Sequence, residues 1–301
     1  MTAEAFFATA RERYDILTRR QVDEERVALG EQPIGPPWTD DPIYAGSRFC
    51  NVFREDDRVT RWMRANLTEP LGDDLARQYM AAVVFRWFNK IETGELLKPL
   101  LLGDWDTEEA RRLLKERVAR KETILGAAYM IKSPLRVNKV DGLLDCIDQV
   151  RARHMDRVAG IQWYHTLQRA HEELLPFPYL GPFMAYQMVC DMRHSPLLAD
   201  ATDTMTWTCP GPGSARGLSR VLHGEVGHFD YNNARQREEM VAHMGGLLAL
   251  ASHPDYWPED WPRWELATVQ HWLCEFDKYE RVRLGEGRAK QRFTPHNAGD
   301  Q

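Results

Sequence analysis

Apolar residues recur at helical spacing along nearly the whole chain. Over residues 2–29, Phe6, Phe7, Tyr14, Ile16 and Leu17 sit among Arg and Glu, and Gly30 closes the segment. The stretch EQPIGPPWTDDP cannot continue that helix, because proline lacks an amide hydrogen and clashes with the preceding turn. Further helices are predicted over Asp56–Asn66, Asp73–Glu92, Thr107–Lys121, Val140–Val158, Gln162–Leu175, Phe183–Met192, Asn233–Ser252 and Trp264–Leu284. Many of them start after Asp, Thr or Asn, whose side chains accept the free amides of a first turn. Only GAAYMI (126–131) and DTMTWTC (203–209) read as strand-like. The fold expected is all-α, a single multi-helix domain over 1–301 with an N-terminal helix at 1–30 and a linker at 31–43.

Composition narrows the function classes. Lys plus Arg number 39 against 45 Asp plus Glu, and a net charge of -6 argues against an indiscriminately basic nucleic-acid coat, while leaving room for a local basic stripe. The five cysteines are scattered with no CxxC, the pattern of reduced thiols. No apolar run approaches the ~20 residues of a membrane span. Charges interrupt the N-terminal apolar positions, so they do not form a signal peptide. A cytoplasmic protein with no membrane partner is expected.

Several motifs carry candidate chemistry. In PYLGPFMAYQMVCDMRH (178–194) a Gly181 turn joins two helices, the outline of a helix-hairpin-helix element in which backbone amides approach a DNA phosphate. Asp200 and Asp203 follow it, a layout that resembles helix-hairpin-helix DNA glycosylases, where a catalytic aspartate comes after the hairpin; either residue could equally be a helix or turn cap. CPGPGSARGL offers Gly211, Gly213, a capping Ser214 and Arg216 to phosphate oxygens, but it lacks the Gly-Lys-Ser/Thr of a nucleotide-binding P-loop. HGEVGH (His223, Glu225, His228) has the wrong spacing for a helical zinc motif, and no metal site is read there. Near the C-terminus His271, Glu275 and Lys278 share one helix face and Asp277 with Arg281 another, which suits either intrahelical ion pairs or proton transfer. The segment from Arg281 to Arg292 is basic, as either a solvated tail or a phosphate contact.

Taken together and in order, SRFCNVFREDDRVTRWM, VVFRWFN, GAAYMI, LGPFMAYQMVCDM, GPGSARGL and LCEFDKYE resemble the α-glutamyl/putrescinyl thymine pyrophosphorylase family over about residues 44–292. That family includes phage amino acid:DNA transferases and the helical domain attached to 5-hydroxymethyluracil DNA kinases. The resemblance implies DNA base hypermodification in a phage-infected bacterial cytoplasm. A neighbouring kinase makes 5-pyrophosphoryloxymethyluracil in double-stranded DNA, and the transferase displaces pyrophosphate with a small amine such as glycine, glutamate or putrescine. Because the chain lacks a P-loop, it looks like the transferase. No cofactor is implied, although a divalent cation is compatible with pyrophosphate departure.

Site roles follow from the matching motifs together with the chemistry the step needs. Arg48, Arg54, Arg86 and Arg216, with Lys139, are the candidates to hold pyrophosphate, since guanidinium groups pair bidentately with phosphate oxygens. A carboxylate must take the amine's proton: Asp203 first, then Glu275 or Asp277, with Lys278 beside them. Asn51 and Asn89 have amide edges that read a uracil ring, or they cap helices. Phe53, Trp87 or Phe88 would stack on a flipped base unless, as is common for helical aromatics, they are core. Residues 1–43 and 223–240 have no counterpart in this resemblance. Two other readings compete: a helix-hairpin-helix glycosylase using Asp203, and a non-enzymatic DNA-binding partner of a modification complex.

Overall fold

The computed structural model describes residues 2–126, 134, 137–289 and 292–293. In chain order the helices are α1 (Ala3–Ala28), α2 (Pro42–Gly46), then α3 (Arg58–Met63), which runs through a π turn (Arg64–Thr68) into α4 (Glu69–Leu71). They continue with α5 (Leu75–Phe88), α6 (Ile91–Leu102), α7 (Thr107–Ala119), α8 (Lys139–Arg151), α9 (His154–Tyr164) and α10 (Leu167–Leu174). The last four are α11 (Pro182–Met192), α12 (Pro212–His223), α13 (Ala234–Leu250) and α14 (Leu266–Arg283). A lone bridge between Ser47 and Arg292 is the only β pairing among the described residues, so the fold is all-α. The strand-like run at 126–131 lies, apart from Gly126, outside the described residues, and residues 202–206 form turns.

Side-chain caps fix many helix starts where the sequence places them. Asp41, Asp74, Asp106, Asn138, Thr166 and Asn233 each accept first-turn amides. Several elements depart from expectation. The helix predicted over 73–92 stops at Phe88, because Asn89 takes a left-handed conformation (φ 47°) and ends it. α6 was not anticipated: it contains Gly94 and Pro99, which read as breakers, yet a Cβ on Gly94 would lie 2.5 Å from the Trp62 ring, so the glycine permits close packing. The stretch 140–175, read as two helices, is three, with a second left-handed stop at His165 (φ 47°).

The chain divides into two compact units, one built from residues 1–57 and 209–301, the other from 58–208. The expected 44–292 region therefore contributes to both.

The first unit has an aromatic core. Phe6 packs edge-on against Phe7, Trp264 and Phe276, and Phe53 against Tyr14, Trp257 and Trp264. Here α12 and α14 run so close that a Cβ on Gly217 would sit 2.0 Å from the Leu273 carbonyl oxygen. The linker is tied down: buried Asp23 of α1 accepts the Ile34 and Gly35 amides and the Trp38 indole.

In the second unit α5 is buried on every side from Gln78 to Phe88. Such a helix belongs at the centre of a bundle. Leu143, Ile147, Ala185 and Met188 belong to the same core.

Candidate functional site

The first unit gathers most of the candidate chemistry on α14. Its 3.6-residue period separates two charged faces, as the sequence pattern requires. One face carries Asp277, fully buried and ringed by arginines. Arg216 Nε donates to Oδ2 at 2.9 Å, Arg220 Nε to Oδ1 at 3.0 Å, and Arg281 Nε lies 3.3 Å from Oδ2. Arg220 also pairs with Glu286. A carboxylate so enclosed is a structural counter-ion and has no free edge with which to take a proton. That corrects the expectation of Asp277 as a base. Arg216 remains 42% exposed, so part of its guanidinium faces solvent.

On the other face of α14 lie His271, Glu275 and Lys278, met by the segment 47–57. Glu275 accepts the Cys50 amide at 3.0 Å and the Lys278 ammonium at 3.1 Å. Lys278 also stands 4.5 Å over the Phe49 ring. His271 Nε2 lies 3.1 Å from the Asn51 carbonyl oxygen, and Asp57 accepts the Asn51 amide at 2.9 Å. Burial pushes the Glu275 carboxyl up, but Lys278 and His271 outweigh it and hold it below the ordinary carboxylate range. For Asp57 burial wins over His271 and its value is raised. Burial, followed by the nearby Glu275 and Asp57, pushes the Cys50 thiol well up.

A small pocket opens beside the same segment, lined by Arg13, Trp38, Tyr44, Ser47, Arg48 and Phe49 among others. Arg13 joins pocket to segment, donating from Nε to the Cys50 carbonyl at 3.0 Å. Arg48 is exposed at its rim. Arg54 lies on the same segment, in the short 3₁₀ turn Arg54–Asp56.

Other predicted residues have structural places. Phe53 is core, edge-on to Tyr14 and two tryptophans, so its face is not available to a base. Gly211 is the α12 N-cap and its amide is taken by Ser214 Oγ at 2.8 Å; Gly213 makes room for Cys274, whose Sγ would be 3.0 Å from an added Cβ. These three close a helix start, and that loop is a packing device more than an open phosphate cradle. His223 and His228 stack on each other, 3.5 Å between ring centroids.

In the second unit Arg86 is bound by Asp191, 2.5 Å from Nε to Oδ2 and 2.6 Å from Nη2 to Oδ1, and by Asn89 Oδ1 at 2.6 Å. Arg86 and Asp191 are almost wholly buried. This corrects both roles assigned there: Arg86 is an internal partner of Asp191, and Asn89 is a helix terminator that supports it. Asp203 accepts the Leu167 and Gln168 amides at 2.7 and 3.0 Å, so both its oxygens cap α10. Lys139 opens α8 and is exposed.

The hairpin does not carry the feature expected of it. Gly181 is extended (φ -66°, ψ 168°) and a Cβ there would meet nothing, so glycine is not required; the left-handed residue of that connection is Tyr179 (φ 62°).

Sequence reasoning passed over Arg13, Cys50, Asp57, Asp191 and Arg220. Arg220 follows Arg216 by one helical turn, and Cys50 and Asp57 flank Asn51, so local signals existed for three of them.

The family described as 5-hmdU DNA kinase, helical domain, matches residues 2–289. The chain belongs to this family. The match takes in residues 2–43 and 223–240, which the motif resemblance left out. A 5-hmdU DNA kinase of Bacillus phage SP10 is 25% identical over 290 residues, covering 88% of this chain and 44% of the kinase. The chain thus spans less than half the length of that relative. No solved structure matches significantly. Among the described residues no helix is long and apolar enough to cross a membrane.

Proposed function

We propose that this chain acts in thymine hypermodification of phage DNA, in the cytoplasm of the infected host, as a transferase that joins an amine to 5-pyrophosphoryloxymethyluracil. In the step, the amine nitrogen bonds to the exocyclic carbon, the carbon–oxygen bond to pyrophosphate breaks, and a proton leaves the nitrogen. The observation that carries the reading is membership, over nearly the whole chain, of the helical-domain family of 5-hmdU DNA kinases.

The first unit supports the assignment of roles. Arg48 and Arg13 line a small pocket beside the segment 47–57, and arginine suits the departing anion. Glu275, ionised at neutral pH and beside Lys278, takes the proton role first given to Asp203. Asn51, on the same segment, has a side-chain oxygen that is buried with no hydrogen-bond partner among the described residues. The glycosylase reading depends on Asp203, whose oxygens are both spent on α10, and it is not carried further.

The test is to incubate DNA bearing 5-pyrophosphoryloxymethyluracil with the protein and glycine, glutamate or putrescine, then weigh the nucleosides. New masses with stoichiometric pyrophosphate are expected, reduced at least tenfold by Glu275→Gln. A second reading is a helical partner that holds DNA for a kinase without transferring anything; it is favoured by the chain matching only 44% of its phage relative. It predicts salt-dependent DNA binding, no new masses, and indifference to Glu275→Gln.

A further inference from the structure

We propose that Cys50, Asp57 and His271 form a binding site for a divalent transition-metal ion of the zinc class. The inference does not rest on amine transfer. One thiol, one carboxylate and one imidazole come from two separate parts of the first unit, and their ligating atoms all lie within 4.8 Å of one another. A tetrahedral ion with bonds of about 2.0 Å to nitrogen and oxygen and about 2.3 Å to sulfur holds its donors roughly 3–4 Å apart. Small side-chain rotations close that difference. Thiolate, carboxylate and neutral imidazole together bring two negative charges to a dication, and soft sulfur with nitrogen and oxygen favours zinc over magnesium or calcium.

The surroundings of these donors are those of a ligand set. A metal-bound histidine characteristically donates its other ring N–H to a carbonyl or carboxylate, which sets the tautomer and aims the free lone pair. His271 has such a partner: Nε2 is 3.1 Å from the Asn51 carbonyl oxygen, and a neutral ring protonated there would bind the ion through Nδ1. Asp57 is oriented by the same residue, its Oδ1 accepting the Asn51 amide at 2.9 Å. Asn51 also pins its own Nδ2 on the Asp56 carbonyl at 2.9 Å, yet its Oδ1 is buried with no hydrogen-bond partner. An unsatisfied buried oxygen is costly, and here it belongs to the residue that holds two of the three donors.

The rival use of Cys, His and Asp is a nucleophilic triad. That arrangement needs both ring nitrogens, one for the thiol and one for the carboxylate. His271 has spent Nε2 on a backbone carbonyl, so only one nitrogen remains. A metal ion needs only one. Three protein donors with a fourth position left for water or substrate is the ligand count of catalytic zinc sites, and the ion would pin the 47–57 segment to α14 next to Glu275.

The full chain, treated with a chelator and dialysed, is titrated with Co²⁺. One equivalent is expected to bind with a thiolate-to-cobalt charge-transfer band in the near ultraviolet, displaced by Zn²⁺. Cys50→Ser should lose that band, while Asp57→Asn and His271→Gln should each weaken binding by more than about 100-fold, the upper end of what loss of a supporting residue costs. Because a variant can misfold, the unaltered protein gives a second readout. One equivalent of Zn²⁺ should slow alkylation of Cys50 at least tenfold, mapped by peptide mass, and leave the partly exposed Cys190 unchanged. Failure to take up Co²⁺, binding without a thiolate band, or Cys50 alkylation that ignores Zn²⁺ each overturns the site. Fast zinc-independent alkylation would point instead to a nucleophilic cysteine.

Discussion

Each unit buries an arginine against an aspartate, and the two arrangements differ in what surrounds the pair. In the second unit Arg86 and Asp191 are 2% and 0% exposed, joined through two hydrogen bonds and braced by Asn89. In the first unit Arg220 and Asp277 are equally deep, but Asp277 also holds Arg216 and Arg281, which are 42% and 35% exposed. The first arrangement is a closed lock. The second leaves two of its arginines partly exposed to solvent. Depth of burial, rather than residue type, separates an arginine sealed inside the protein from one that still meets water.

The largest expected effect is on the lock. Arg86→Ala leaves Asp191 charged and buried, and should cost about 3–5 kcal/mol in denaturant unfolding; a loss under about 1 kcal/mol would mean the pair is not closed. Arg220→Ala should cost less, about 1–3 kcal/mol, since Asp277 keeps two guanidinium partners. Equal losses at the two sites would erase the contrast.

Smaller effects sharpen it further. Asp203→Ala removes the α10 cap and should cost about 1 kcal/mol while leaving any amine transfer per folded molecule unchanged. A specific loss of turnover would restore Asp203 as a base. Arg216→Gln should change stability by less than about 1 kcal/mol, because its pair is half exposed, yet weaken DNA or pyrophosphate binding severalfold in a fluorescence titration. The least effect is local and pH-dependent. Burial raises the Asp23 carboxyl, but the Trp38 indole and the Ile34 and Gly35 amides outweigh it and leave it depressed. A depressed carboxyl stabilises above its unfolded value and loses that contribution as pH falls through its folded one. Pepsin cleavage within 31–41 should therefore rise as acidity passes the ordinary aspartate range, and Asp23→Asn should flatten that rise.

Much of the helical framework was legible in the sequence because its signals are local. Caps such as Asp106 and Asn233 and the apolar spacing of α7, α11 and α14 each fall within a few residues. The two faces of α14 were legible for the same reason: His271, Glu275 and Lys278 follow from helical periodicity alone. Where the sequence reading failed, the deciding partner was distant. Gly94 looked like a breaker until Trp62 filled the space a side chain would need. Arg86 looked like an anion binder until Asp191 was found beside it, 105 positions along the chain.

What the sequence determined alone is the all-α character, most helix limits, the family motifs and the charge pattern on α14, since each depends on neighbours one or two turns away. Which charges are spent inside the protein and which remain for a ligand was decided only by tertiary structure. Segment 47–57 meets α14 across more than two hundred intervening positions, as in the hydrogen bond from Cys50 to Glu275. A charge's chemistry depends on its partners and its water, and no local pattern encodes contacts made over that distance.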